Sequence, residues 1–286
     1  MIYFLGDTRI ARSSPGLLPD LVSKLHWRGE ILCYFRLYIA FCWAGVANWT
    51  NAKRYLDELR STVKSFEISQ AGPLGHLMMY LDGVYHQGIG DFDTALHIFG
   101  HARFNLSTAK STTLTSADQV ERDIALLAAL NTLWILQDKP RLDPDRNMVL
   151  MERLEPYCAN YPNQEIRAAF NLVVATVETN PPSQLFKVKG YLRAALDCAQ
   201  ATANTQFLAI TLSVMCSRFF SNVVGAQAEK SARAASVQAS KSGNVLWMSV
   251  ADGMLARCYE VQGKKQEAQS TMEQAWMYSE QALPDV

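Results

Sequence analysis

The sequence predicts an all-α protein: an α-solenoid of about six antiparallel helix pairs. Three observations lead there. Apolar residues recur at three- and four-residue spacing nearly everywhere, and no long stretch alternates with period two. Only 10 prolines and 15 glycines occur in 286 residues, so long helices are permitted. A pattern also repeats every 40 residues: Val188, Ala228 and Ala268 are in phase, as are Leu192, Ala232 and Met272, and Ala195, Ala235 and Ala275. A period of this size marks one supersecondary unit that buries its apolar face by stacking on its neighbours.

The pairs fall at about 29–66, 74–106, 116–160, 163–202, 205–242 and 244–281, and the breaks between them have physical causes. Gly72-Pro73 separates the first two pairs. Ser107 to Asp118 is rich in Ser and Thr, reads as a surface loop and can cap the helix that follows. Asp143-Pro144 and Pro181-Pro182 stop or start helices, because proline lacks the N–H and restricts the residue before it. Residues 1–28 read as an irregular N-terminal segment, a ragged end or one short helix near 17–26, and residues 29–286 as the repeat domain.

Each pair can be tested against residue chemistry. In the last, Leu255, Ala256, Tyr259, Gly263, Ala268, Met272 and Ala275 give large-small-large, a turn glycine, then small-large-small. Gly90-Asp91-Phe92-Asp93-Thr94-Ala95 with Phe99 and Ala102 gives the turn and second helix of another unit, with Gly83 in its first helix. Ile39, Ala40, Trp43, Trp49, Ala52, Leu56 and Leu59 give a third, with Ala47 where glycine is usual. Met215, Cys216, Phe219, Ala228, Ala232 and Ala235 give a fourth, while 116–160 and 163–202 are degenerate. These units resemble the tetratricopeptide repeat, whose usual period is 34 residues, and the resemblance implies a tetratricopeptide-like α-solenoid wound as a right-handed superhelix. The longer period adds roughly 9 Å of helix per pair, at about 1.5 Å per residue, and so deepens the wall of any groove.

The tetratricopeptide resemblance implies an inner surface lined by particular first-helix positions. They fall on Tyr34, Leu37, Phe41, Leu77, Tyr80, Val84, Ile210, Phe220, Val250 and Val261, with polar Ser213, Ser217, Arg257 and Glu260. Most are apolar or aromatic, which suggests a covered groove. Tyr34, Leu37, Phe41, Leu77, Tyr80, Val84, Phe220 and Arg257 are the candidate partner-binding residues. The competing reading is that a tightly wound solenoid packs these side chains on one another. The basic and amide set with which this family's chaperone-binding members clamp a terminal carboxylate is not found.

Composition narrows the function. Lys+Arg and Asp+Glu are both 27, so the chain has no net charge and lacks the basic excess of a nucleic-acid binder. Six cysteines are scattered without a CxxC pair and read as reduced thiols, mostly buried, of a cytosolic or nuclear protein. The longest apolar run, Leu37 to Ala47, is too short for a bilayer, and the N-terminal MIYFLGDTR does not read as a secretory signal.

No catalytic or cofactor constellation emerges. His97 and His101 are four apart on an expected second helix, share a face and could hold a metal, but no further ligand is spaced nearby. Gly263-Lys264 reads as a helix-hairpin turn, and Asp91 and Asp93 as helix caps. GxSxG, HExxH and EF-hand patterns are absent. Lys230, Arg233 and Lys241 beside Glu229 read as a solvated face. The tryptophans read as packing anchors, and an exposed one is a candidate interface hot spot.

Three stretches carry a narrower resemblance: Tyr80 to Leu96, Asn244 to Leu255, and Trp27 to Leu59. They resemble the fungal form of the tetratricopeptide subunit of the cohesin loader, over most of residues 27–281. Members of that family are longer, and the chain resembles their C-terminal portion. The resemblance implies a nuclear, non-enzymatic scaffold that embraces an extended segment of the large HEAT-repeat loader subunit. It would act on cohesin and chromatin indirectly, without direct nucleic-acid or membrane contact, in sister-chromatid cohesion and chromosome segregation. Two other classes fit the residues: a helical-repeat sensor or regulatory module of a signalling ATPase, and an enzyme with a helical-repeat body, which would need a convergent polar site.

Overall fold

The computed structural model describes residues 18–104, 116–137, 144–177, 185–219 and 225–283. Among the described residues there are twelve α-helices, one short 3-10 turn and no strand. The chain runs α1 (Leu18–Gly45), α2 (Trp49–Ser65), α3 (Pro73–Gly88), α4 (Phe92–Phe99), the 3-10 turn (Ala102–Phe104), α5 (Ser116–Gln137) and α6 (Pro144–Cys158). It continues with α7 (Gln164–Val177), α8 (Leu185–Ala201), α9 (Thr205–Phe219), α10 (Ala226–Ser242), α11 (Val245–Val261) and α12 (Lys265–Ala282). Successive helices pack as pairs, and each pair packs on the next.

The helix starts are set by side chains the sequence supplies. Asn48, Asp91, Asn204 and Asn244 each accept a hydrogen bond from the backbone N–H three residues on, at 3.0 to 3.3 Å. Such caps satisfy N–H groups that the helix leaves orphaned. Between α11 and α12 the chain reverses through Gly263 at φ 78°, so Gly263-Lys264 is a turn. The same left-handed position between α1 and α2 is taken by Ala47, at φ 60°, although its side chain is buried. An L-residue there costs about 1–2 kcal/mol, which the packing of the turn must offset.

The core is a row of local clusters, as stacking requires. One joins α1, α2 and α3 around Leu37, Leu56 and Leu81. The next joins α3, α4 and α5 through Phe99 and Ala128. Leu133, Leu154 and Ile166 join α5, α6 and α7, and Leu172, Leu192 and Val214 join α7, α8 and α9. Farther on, Ala209, Ala235 and Ala251 bring α9, α10 and α11 together. The 40-residue phase is visible here: Ala195, Ala235 and Ala275 are all buried. Ala268 and Met272, on the last helix, are only half-buried.

Two expectations need correction. Residues 18–28 are not a separate irregular stretch or a short helix ending near 26, but the start of the 28-residue α1. Gly29 does not break that helix. It makes room for Phe66, since a Cβ there would lie 2.7 Å from the ring. His97 and His101 do not share a helical face, because α4 stops at Phe99 and Gly100 caps it. The expected loop falls largely on residues 105–115, which with Pro181-Pro182 lie outside the described residues.

The chain also contacts itself at long range. The turn after α1 meets the turn before α11: the Asn244 side-chain amide donates to the Gly45 carbonyl at 2.8 Å, and the Val245 N–H to the Val46 carbonyl at 3.4 Å. Val245 and Leu246 pack on the cluster of the first pair. The stack therefore bends back until its last pair touches its first.

Candidate partner-binding face

Four of the eight candidate residues come together on α1 and α3. The rings of Phe41 and Tyr80 stack with centroids 6.3 Å apart and planes 27° apart. Tyr80 leans on Phe99 at 5.9 Å. Leu77 and Val84 flank Tyr80 one turn to either side, and both pack against the clusters on its two sides. Phe41, Leu77, Tyr80 and Val84 are all half-buried, so each keeps some surface for a ligand while its position is fixed from beneath.

The polar end of Tyr80 is also fixed. Asn131 of α5 donates its side-chain amide to the phenol oxygen at 2.9 Å. Burial pushes the Tyr80 hydroxyl up to about 12, the Asn131 bond opposing, so the phenol is neutral at physiological pH. Sequence reasoning missed Asn131. Its signal was a single amide inside the apolar run Leu126 to Leu136, where an unpaired polar group would be costly.

The other four candidates lie elsewhere. Leu37 is buried in the first cluster. Tyr34, two turns before Phe41 on nearly the same side of α1, is exposed, and Arg257 is exposed on α11. Phe220 lies outside the described residues. Of the wider set, Ile210 and Val250 are half-buried, while Ser217, Glu260 and Val261 are exposed. Ser213 is buried, and its hydroxyl has no hydrogen-bond partner.

Charge around the last two pairs is locally balanced. Glu229 of α10 accepts from Arg233 at 2.7 Å and from Lys264 at 2.8 Å. Those bonds, Lys264 first, hold its carboxyl down at about 2. Arg233 also donates to the Tyr259 hydroxyl at 2.8 Å. Lys230, Arg233 and Lys241 are exposed. All six cysteines are free: Cys33, Cys158, Cys198 and Cys216 are buried, Cys258 is half-buried and Cys42 is exposed. Among the described residues no group of three His, Cys, Asp or Glu side chains could hold a metal, and no helix is long and apolar enough to cross a membrane.

Stacked helix pairs with apolar clusters between them and a firmly seated aromatic face define a helical-repeat protein of the α-solenoid class. A model of the cohesin loading factor family matches residues 5–266, and the chain belongs to that family. No curated protein and no solved structure matches the chain. Family membership supports a role in cohesin loading.

Proposed function

We propose that the chain is a non-enzymatic scaffold subunit of the cohesin loading complex. It acts in the nucleus and binds an extended segment of the large HEAT-repeat loader subunit. Cohesin and chromatin are reached through that partner, in support of sister-chromatid cohesion. The seat is the face formed by Phe41, Leu77, Tyr80 and Val84.

The observation that carries this reading is the Phe41–Tyr80 stack. Both residues are half-buried, and the phenol is held by Asn131. Aromatic anchors with fixed rotamers supply contact area at low entropic cost. An apolar seat suits a segment that brings its own aliphatic or aromatic side chains and hydrogen-bonds through its backbone. Zero net charge suits an adaptor whose nucleic-acid contacts are made by its partner.

Hydrogen exchange of the chain with and without the large loader subunit tests the seat. Added protection should concentrate in residues 37–45 and 74–88. Protection elsewhere with none in these two stretches contradicts it.

A further inference from the structure

Helix α1 is apolar on two opposite sides. One side, Cys33, Leu37, Ala40 and Ala44, is buried in the first cluster. The other is not: Trp27 is 58% exposed, Ile31 49%, Tyr34 47%, Phe35 60% and Tyr38 68%. A helix that is apolar all round is normally buried. A bilayer is not the missing cover, because no described helix is long and apolar enough to span one, and α1 also carries Arg28, Glu30 and Arg36.

The spacing identifies the shape of what fits. Trp27, Ile31, Tyr34 and Tyr38 step by four, three and four residues. That is the knob spacing of a helix seated against another helix. Phe35 widens the stripe to one side.

We propose that this stripe is a self-association seam, on which α1 of a second copy of the chain lies antiparallel about a two-fold axis. Trp27 then meets the partner's Tyr38, and Ile31 meets the partner's Tyr34. The second copy offers the required helix with the same stripe, and an isologous contact closes at two chains. The area is adequate. Aromatic side chains present roughly 150–250 Å² each, so the stripe at about half exposure supplies roughly 500 Å² per copy. Two copies bury about 1,000 Å², the size at which specific interfaces begin. Equal numbers of acidic and basic residues, 27 of each, leave no net repulsion between copies. Tyr38 lies one turn before Phe41 on α1, so the seam borders the Phe41–Tyr80 seat. Self-association of the chain without the loader subunit reads the seam separately from the loader-subunit reading.

Sedimentation velocity of the full chain, without partner, from micromolar to hundred-micromolar concentration tests it. The wild type should pass from one to two chain masses. Phe35→Glu with Tyr38→Glu should weaken the dimer about 100-fold, as two tenfold losses. Trp276→Glu, on the equally exposed Trp276 of α12, should leave it unchanged. If circular dichroism shows the double variant unfolded, Tyr38→Lys alone should weaken the dimer about tenfold. A wild type that stays monomeric throughout, as it would if another part of the chain covered the stripe, overturns the proposal. So does a dimer that survives the folded stripe variants.

Discussion

Asn244 and Gly45 are 199 residues apart in sequence and joined by a 2.8 Å hydrogen bond. The Asn244 side chain has two tasks. Its oxygen caps α11 by accepting from the Trp247 N–H at 3.1 Å, and its amide reaches the turn after α1. A buried amide with both ends satisfied is costly to replace. Asn244→Ala should lose about 1–3 kcal/mol in urea unfolding. Asn244→Asp keeps the cap oxygen but loses the donor and sets a carboxylate against a carbonyl. It should raise hydrogen exchange at residues 45–47 while the start of α11 stays protected. Unchanged exchange at 45–47 would mean that this bond does not hold the ends together.

Gly83 lies in α3 beneath Phe99, where a Cβ would come within 2.5 Å of the ring. Alanine normally favours a helix over glycine, but here it must push Phe99 away from Tyr80. Gly83→Ala should therefore destabilise the chain by about 1–3 kcal/mol. A rise in the urea midpoint would show that the contact relaxes at no cost.

Ala232 is fully buried in α10, whereas Ala268 in α12 is half-buried. Both occupy small positions of the repeat. Ala232→Leu should cost about 1–3 kcal/mol and Ala268→Leu clearly less. Equal losses in thermal melts would contradict the difference in packing between these two positions.

Glu229 gives the acid response a local cause. Lys264 and Arg233 hold its carboxyl at about 2, below its ordinary 4.5. A depressed carboxylate contributes stability above its unfolded value and loses it as pH falls through the folded value. That contribution should be intact at pH 7 and fade between about 4.5 and 2. Glu229→Gln should lower stability at pH 7 and flatten the decline in that window. An unchanged pH profile would show that the two cations do not stabilise the fold through Glu229.

The helix pairs were legible because stacking writes itself locally. Small residues such as Ala195, Ala235 and Ala275 recur where helices approach closely, and Asn48, Asp91 and Asn244 stand at helix starts. The full length of α1 was less legible, because residues 1–28 show no clear pair, while Gly29 is a helix position opened for Phe66. The short α4 hid behind His97 and His101 for the converse reason, since Gly100 ends the helix between them. The bond from Asn244 to Gly45 left no sequence trace, because it depends on curvature accumulated over the whole stack. The candidate face was half legible. Motif position drew Phe41, Leu77, Tyr80 and Val84 together, but it could not tell that Tyr34, two turns before Phe41 on nearly the same side of α1, would stay exposed.

The most direct test of the scaffold reading is calorimetric titration of the folded chain with the large loader subunit. Wild type should bind at micromolar affinity or tighter. Phe41→Ala and Leu77→Ala should each weaken binding at least about tenfold, the loss of one interface anchor. Tyr80→Phe keeps the ring and should bind nearly as well as wild type. A folded wild-type chain that does not bind the large subunit, or variants at Phe41 and Leu77 that bind as tightly as wild type, would contradict the proposed seat.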